Sequence, residues 1–233
     1  MTNESASRRP RPREPHPLVS PERAAAADAL RLLIETFVSR DPETTTLAEL
    51  AAWAEQTTAT IAASPPHPHA LTRVEELVVG GWGQGGGRAV DALCDRAVVG
   101  SANPASYDIW IDRDGDEVVA EAWLGNIAGG APGRAHGGVV AAIFDDVTGH
   151  VPPIHGMPAF TGELSVRYSR PVPLERLISF RAWLAGRSES GRRLFVESSA
   201  SVEGVEVATS RATFVTVDSS RFRPGTPESA GAI

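Results

Sequence analysis

The chain has 233 residues, of which 42% are hydrophobic, and its formal net charge at pH 7 is −7. This acidic balance argues against nucleic acid as a main partner, because phosphate binding requires clustered Lys and Arg side chains. No apolar run approaches the roughly 20 residues that span a bilayer, and the N-terminus lacks the apolar core of a secretory signal. With one cysteine, Cys94, and six scattered histidines, we expect no disulfide, no metal site and a cytoplasmic location.

Both ends of the chain have compositions that favour disorder. Residues 1–20 are basic and rich in proline, with almost no apolar side chains, and such a segment cannot bury enough surface to become ordered. Residues 219–233 are rich in Pro, Gly and Ser. We therefore predict a disordered leader and a disordered tail.

Residues 21–69 have the pattern of two helices and a linker. Ser20 and Pro21 suit the N-cap and the first position of a helix, and helical periodicity then runs over Ala24–Arg40. A second helix is predicted over Thr46–Ala63, followed by a Pro-rich linker. We expect a helical hairpin that either caps a substrate pocket or packs on a sheet. The predicted apolar sides are Ala29, Leu32, Leu33, Thr36 and Phe37 on the first helix, and Leu47, Leu50, Trp53, Ala54, Thr57 and Ile61 on the second.

Residues 70–218 are predicted to form the main domain. A glycine-rich stretch at residues 80–87 lacks the Gly-Lys-Ser/Thr of a phosphate-binding loop, so we interpret it as a flexible connection. A helix is predicted over Val139–Val151, between the second and third of six strands. This order indicates an α+β fold, an antiparallel sheet wrapped around one long helix, with the last four strands in a meander. The predicted strands are Tyr107–Arg113, Glu117–Leu124, Phe160–Ser169, Leu177–Arg187, Arg193–Val202 and Val205–Val217.

The run Ala135-His136-Gly137-Gly138, just before the predicted helix, is the strongest functional signal. Glycines let a turn approach a ligand closely, and the first N–H groups of a helix stabilise negative charge on a carbonyl oxygen. Asp145 projects from the side of the helix opposite its apolar residues, among small side chains. These features together predict an acyl-transfer site. The apolar side is Val140, Ile143, Phe144, Val147 and Val151, and the neighbours of Asp145 are Gly138, Ala141, Ala142, Thr148 and Gly149.

Structural explanations compete with the functional ones. Asp145 alone fits a surface position on an Ala-rich helix. His136 fits either a catalytic base or a side chain that stabilises the turn and the helix start, and we favour the latter. Thr161 fits an ordinary β-branched strand residue. On its strand, the alternation predicts that Thr161 shares a face with Glu163, Ser165 and Arg167.

The segment Gly133–Asp145 resembles the signature of hotdog-fold acyl-CoA thioesterases, especially the 4-hydroxybenzoyl-CoA and phenylacetate-pathway branch that includes thioesterase-superfamily members 2 and 4. The resemblance covers roughly the C-terminal half of the chain. It implies that Asp145 is the catalytic carboxylate, which activates water or attacks directly. It also implies that the Gly137 N–H polarises the thioester carbonyl and that Thr161 positions the water. Many members carry Asn or Gln where this chain has Gly130.

The resemblance implies that the substrate is an acyl-CoA, or an acyl-carrier-protein thioester. We expect no cofactor, because a thioester is reactive enough for a carboxylate base and an oxyanion donor to suffice. We assign Gly138 to substrate binding, together with Arg187, Arg192 and Arg193 near the junction of the fourth and fifth strands. Arginines there would receive the phosphates of coenzyme A; a solvated basic turn is the alternative. The alternative function is a non-catalytic acyl-CoA-binding module that acts as a sensor or interaction domain.

Spacing along the helix predicts an oligomer. Asp145 lies eight residues beyond Gly137, which is about 12 Å along a helix axis. Both groups therefore cannot serve one thioester carbon from the same helix. A second copy of the helix, packed antiparallel, would bring one subunit's Asp145 to the other's Gly137, and the resemblance implies the same. We expect a homodimer or homotetramer with sites shared between subunits.

Overall fold

The computed structural model describes residues 19–66, 95–157 and 159–217 of the chain. Residues 1–18 of the predicted leader, the linker from residue 67, the glycine-rich stretch, Cys94 and the predicted tail lie outside the described residues. None of the helices in the described ranges is long and apolar enough to cross a membrane.

Alternating side chains and tight turns build one antiparallel sheet in the described part of the chain. Its strands confirm the predicted ranges to within one residue at each end. Glu203 (φ 52°) and Gly204 (φ 78°) both have left-handed backbone, as the two-residue turn of a hairpin requires. The strands are β1 (Asp108–Asp114), β2 (Glu117–Trp123), β3 (Ala159–Tyr168), β4 (Leu177–Arg187), β5 (Arg193–Val202) and β6 (Val205–Thr216).

The position of β3 differs from the predicted meander. The strand order is β1-β2-β4-β5-β6-β3, so β3 pairs with β6 at the edge of the sheet and does not neighbour β4. The segment between β3 and β4 contains Pro171 and Pro173, which cannot donate to a strand ladder. This segment bonds instead to the glycine motif, where the Ala135 N–H donates to the Val172 oxygen at 2.9 Å. The chain therefore crosses from the sheet edge to the centre before β4 begins.

The central helix packs its predicted apolar side against the sheet. Val140, Ile143, Phe144 and Val147 of this helix have 0% exposure. Val151 is also fully buried, but it begins the next, short helix, because the central helix ends at Gly149 and not at Val151 as predicted. Phe144 also meets Phe180 of β4 edge to face, with ring centroids 5.2 Å apart, a favoured geometry for aromatic pairs. The helices are α1 (Pro21–Ser39), α2 (Thr44–Ala62), the central α3 (Gly137–Gly149) and the short α4 (Val151–Ile154), with a 3₁₀ turn at Asn126–Ala128.

Helix α1 starts as predicted but buries a different side. Ser20 is its N-cap, and Pro21 is its first residue. The predicted apolar side is wrong, because Leu32 is 66% exposed and Phe37 is 50% exposed. The buried residue of this helix is Ala27. Arg31 and Glu35, one and two turns further on, lie on the same side of the helix as Ala27.

Those two charged residues fasten α1 to the main domain. Arg31 donates to the backbone oxygen of Asn103 at 2.6 Å. The Glu35 carboxylate accepts from the backbone N–H groups of Asn126 at 2.7 Å and Ile127 at 3.1 Å. Glu35 thus caps the 3₁₀ turn, whose first N–H groups lack partners within the turn itself. Polar contacts, rather than the apolar stripe, decide how α1 docks.

Helix α2 leaves its predicted apolar side in contact with solvent. None of its residues is buried, and Trp53 and Ile61 are 49% and 65% exposed. The described residues therefore do not cover this side of α2. The expectation that the second helix packs on the sheet is wrong, because none of its residues is buried.

Candidate active site

The glycine motif begins helix α3 with His136 as its N-cap. The backbone of His136 is extended (φ −65°, ψ 131°), and its Nδ1 accepts a hydrogen bond from the Gly138 N–H at 3.0 Å. The His136 N–H donates to the Ala128 oxygen at 2.8 Å. His136 therefore stabilises the turn and the helix start, which is the role favoured from the sequence. The Gly138 N–H is engaged in this cap and is not open to a ligand.

Gly137 is the first residue of α3 and has an open N–H. Its oxygen accepts a hydrogen bond from the Tyr168 hydroxyl at 2.5 Å, whereas its N–H has no acceptor among the described residues. The first N–H groups of a helix have no partner inside the helix, and they lie at the positive end of its dipole. Gly137 can therefore donate to a carbonyl oxygen that approaches the start of α3.

An irregularity at Gly162 sets the direction of Thr161 on β3. The pairing of β3 with β6 shifts between Thr161 and Glu163, which marks a β-bulge. Thr161 lies opposite Phe214, which is buried under the helix, and paired residues point to the same face of a sheet. The predicted face of Thr161 is therefore wrong, because the extra residue reverses the alternation. The residues that face away from α3 are Glu163, Ser165 and Arg167.

Asp145 and Thr161 meet across the gap between α3 and β3. Thr161 Oγ1 donates a hydrogen bond to Asp145 Oδ1 at 2.9 Å, and both residues are exposed. The adjacent Asp146 points elsewhere and pairs with Arg96 at 3.2 Å, so it does not duplicate Asp145. A carboxylate with one oxygen held by a hydroxyl can accept a proton from a bound water.

Asp146, His150 and Arg96 form a buried polar cluster behind this pair, which was not predicted from the sequence. His150 Nδ1 donates to the Asp146 oxygen at 2.5 Å, and Arg96 Nη1 lies 3.4 Å from His150 Nε2. Burial, together with the nearby Arg96 charge, lowers the pKa of His150 to about 3, so the imidazole is neutral. Burial also raises the pKa of Asp146, although Arg96 opposes this shift. The cluster joins the C-terminal end of α3 to the segment before β1.

A cavity of about 480 Å³ opens beside Gly137. The glycine-motif loop forms one wall, and the segment that follows β3 forms the other. Tyr168, Arg134 and Arg170 belong to this lining, although no role was predicted for them from the sequence. The lining residues are Gly130, Ala131, Arg134, Ala135, His136, Gly137, Val140, Tyr168, Ser169, Arg170, Pro171 and Val172.

The arginines predicted to bind substrate do not line this cavity. Arg187 lies opposite Leu194, which is buried and faces α3. Arg193 directly precedes Leu194 on β5 and lies opposite Val215. Because successive side chains of a strand alternate, Arg193 points to the other face of the sheet. Arg192 occupies the turn between β4 and β5. In one copy of the chain, Arg187 and Arg193 therefore lie on opposite faces of the sheet.

Gly130 has no room for a side chain. A Cβ added at this position would lie 2.8 Å from the His136 Cα, a distance that a real Cβ does not tolerate. Its N–H donates to the Arg134 oxygen at 2.9 Å and closes the loop. The Asn or Gln that many members of the resembled family carry here is thus incompatible with this loop.

Comparison with known proteins adds a partial sequence match. No protein-family profile matches the chain. The chain is 37% identical over 67 residues to acyl-coenzyme A thioesterase THEM4 of Mus musculus. That match covers 29% of this chain and 28% of the mouse protein, so it spans less than a third of the mouse protein's length.

Solved structures match over a larger share of the chain. A thioesterase superfamily protein superposes with a TM-score of 0.70 at 22% identity, and the match covers 87% of this chain and 93% of that one. A hypothetical thioesterase from Streptococcus pneumoniae TIGR4, solved with coenzyme A, has a TM-score of 0.44 at 19% identity over 47% of this chain and 85% of that one. By its architecture, the chain has the α+β hotdog fold of thioesterase superfamily proteins.

Proposed function

We propose that the chain hydrolyses the thioester of an acyl-CoA, or of an acyl-carrier protein, to a free acid and a thiol. The 2.9 Å hydrogen bond from Thr161 to Asp145 carries this proposal. Binding alone requires neither a base nor a hydroxyl group beside it, whereas hydrolysis benefits from both. The partial match to a mouse acyl-CoA thioesterase supports the same activity.

Each residue has a defined part in the reaction. Asp145 takes a proton from a water molecule, and the oxygen of that water attacks the thioester carbon. Thr161 holds the carboxylate and the water, while the Gly137 N–H stabilises the carbonyl oxygen as it becomes negative. The carbon–sulfur bond then breaks, and the thiolate takes up the proton that Asp145 accepted, which restores the carboxylate. A carboxylate base contributes about 10²–10⁴ in rate, and one oxyanion donor about 10²–10³.

The site is complete only with a second copy of the chain. Asp145 and Gly137 are separated by about 12 Å along α3, too far for both to serve one carbon atom. In a twofold dimer with antiparallel α3 helices, the Asp145 of one subunit would face the Gly137 of the other. Such a dimer contains two equivalent sites.

Two exposed surfaces support this dimer. Strand β3 is at the edge of the sheet, and an unpaired edge is a template for pairing with another strand. Phe160 at one end of β3 is 58% exposed, and Tyr168 at the other is 46% exposed. On α3, Gly138 and Asp145 are exposed and Ala141 and Ala142 are half-buried, so a second helix can approach closely. A homotetramer would place two such dimers together.

The direct test is hydrolysis by the full chain of a panel of thioesters. The panel runs from acetyl-CoA to palmitoyl-CoA and adds aromatic acyl-CoAs, and free-thiol release is the signal. Turnover of at least one thioester, lost when Asp145 is replaced, supports the proposal. No thiol release above the rate in buffer for any member of the panel contradicts it.

The second candidate function is a non-catalytic acyl-CoA-binding module. It is favoured by the crowded position of Gly130, where the amide of many related enzymes has no space. Calorimetry with the same thioesters distinguishes the two functions. Binding without turnover, unchanged in Asp145→Asn, would favour the binding module.

A further inference from the structure

Two arginines face the cavity beside Gly137. Arg134 belongs to the glycine-motif loop, and Arg170 follows β3. No carboxylate is among the described residues that line this cavity, and neither arginine forms an ion pair with a described residue. Positive charge is therefore concentrated at this surface of a chain whose net charge is −7.

Backbone hydrogen bonds fix the positions of both arginines. The Arg134 N–H donates to the Ala131 oxygen at 2.9 Å, and its own oxygen accepts from the Gly130 N–H at 2.9 Å. The Arg170 N–H donates to the Val207 oxygen at 3.0 Å. The side chains of both arginines are exposed, so two guanidinium groups on a hydrogen-bonded backbone are available to a ligand in the cavity.

We propose that Arg134 and Arg170 bind the phosphate groups of the carrier that bears the thioester. A guanidinium group presents paired N–H donors that match the oxygens of a phosphate. The same cavity contains Gly137, the proposed contact of the thioester carbonyl, so a carrier arm that extends from the thioester runs past both arginines. The inference rests on the proposed function and names the anionic part of its substrate.

Phosphopantetheine is the shared chemistry of the two carriers. Coenzyme A and acyl-carrier proteins both attach the acyl group to a pantetheine arm with a phosphate at its far end, and coenzyme A adds the phosphates of its nucleotide. A series of acyl-CoA, acyl-phosphopantetheine and acyl-pantetheine esters with one acyl group therefore separates the contributions. Acyl-pantetheine carries no phosphate and reports the contacts of the acyl group and the arm alone.

The test compares Arg134→Gln, Arg170→Gln and the double variant with Arg211→Gln. Arg211 is on β6, is exposed and pairs with Glu197, outside the cavity, so it serves as the matched control. For acyl-CoA, KM should rise about tenfold for each cavity arginine removed, since a hydrogen bond to a charged group is worth about that factor. The kcat value should change little, and KM for acyl-pantetheine should stay the same.

The acyl-phosphopantetheine arm assigns the phosphate that is bound. A raised KM for both phosphorylated esters places the contact at the pantetheine phosphate, and a raised KM for acyl-CoA alone places it at the nucleotide. Equal losses for acyl-CoA and acyl-pantetheine would overturn the inference. If no ester is hydrolysed, the proposed function fails, and calorimetry with coenzyme A still tests the arginines. Unchanged affinity in the double variant would then overturn their role.

Discussion

Thr161 of β3 donates a hydrogen bond to Asp145 of α3 at 2.9 Å across sixteen residues of sequence. At the other end of the same strand, Tyr168 donates to the Gly137 oxygen at 2.5 Å. Strand β3 thus contacts both the start and the middle of α3, and the bulge at Gly162 lets both side chains face the helix. Both proposed reaction groups of α3 are held by one edge strand.

Asp145→Asn should fold normally and lose most of its turnover. Asn has nearly the same size but cannot act as a base or a nucleophile, so kcat should fall by about 10²–10⁴, with a far smaller change in affinity. Asp146→Asn is the control and should retain activity, because Asp146 is turned towards Arg96. Steady-state kinetics of the two variants measure this difference. If Asp145→Asn keeps more than about a tenth of the wild-type kcat, Asp145 is not the catalytic carboxylate.

Thr161→Val should lower kcat with little change in KM. The substitution keeps the branched shape and removes the hydroxyl that bonds to Asp145. Thr161→Ser keeps a hydroxyl and should have a mild effect. Kinetics at saturating substrate separate the two variants. Equal losses in both would mean that Thr161 acts through packing.

Gly125 and Glu35 should be energetically coupled. A Cβ at Gly125 would lie 2.5 Å from a Glu35 carboxylate oxygen, so Gly125→Ala must displace Glu35 from the 3₁₀ turn. We expect Gly125→Ala to cost about 1–3 kcal/mol of unfolding free energy, as for lost hydrogen bonds to a charged group. In a Glu35→Ala background the same change should cost less, with a coupling of about 0.5–3 kcal/mol.

Urea unfolding of the two single variants and the double variant measures this coupling. Gly186→Ala is the control, because its added Cβ would meet only Phe195, at an ordinary 3.9 Å. Strict additivity of Gly125→Ala and Glu35→Ala would contradict the contact.

His150 should make the fold sensitive to acid. Burial and the Arg96 charge together lower the pKa of His150 to about 3, against about 6.5 in an unfolded chain. Between about pH 6.5 and pH 3, His150 binds a proton in the unfolded chain but not in the folded one. The His150 contribution to the free energy of unfolding is therefore fully present above about pH 6.5, and it falls by about 1.4 kcal/mol per pH unit as the pH drops towards 3. Asp146 has the opposite effect on the free energy of unfolding. Its pKa is raised in the folded state, so protonation in acid stabilises the folded chain relative to the unfolded one.

His150→Asn should remove this dependence, since Asn can donate to the Asp146 oxygen but does not titrate. Urea unfolding of wild type and variant between about pH 5 and 7 measures the difference. The variant should lose less stability than the wild type as pH falls. Parallel pH profiles would show that His150 is not the group responsible.

Local patterns predicted the strands and turns well because they depend on neighbouring residues. The ranges Leu177–Arg187 and Arg193–Val202 match the structure at both ends, since alternation and turn-forming glycines mark them directly. The place of β3 beside β6 depends on pairing between distant segments, which alternation does not encode. The face on which Thr161 lies could have been predicted from Gly162, because a glycine inside a strand often marks a bulge.

The docking of α1 had no local signal. Arg31 and Glu35 find their partners 72 and 91 residues further along the chain, and helical periodicity instead selected an apolar side that is exposed. In the site, the glycine motif, Asp145 and Thr161 were identified from the sequence, and the structure brings Thr161 to Asp145. Tyr168, Arg134 and Arg170 were missed, because only the fold brings the end of β3 to the start of α3.

The most direct test of the shared site is complementation between two variants. Gly137→Pro removes the key N–H, and it fits because Gly137 does not have left-handed backbone, His136 before it is extended, and Pro is tolerated at the first helical position. Asp145→Asn and Gly137→Pro should each be inactive alone. Equal amounts refolded together should recover about a quarter of wild-type activity, because half of the dimers are mixed and each mixed dimer has one intact site. Absence of recovery, with mixed dimers demonstrated by mass spectrometry, would contradict a site shared between subunits.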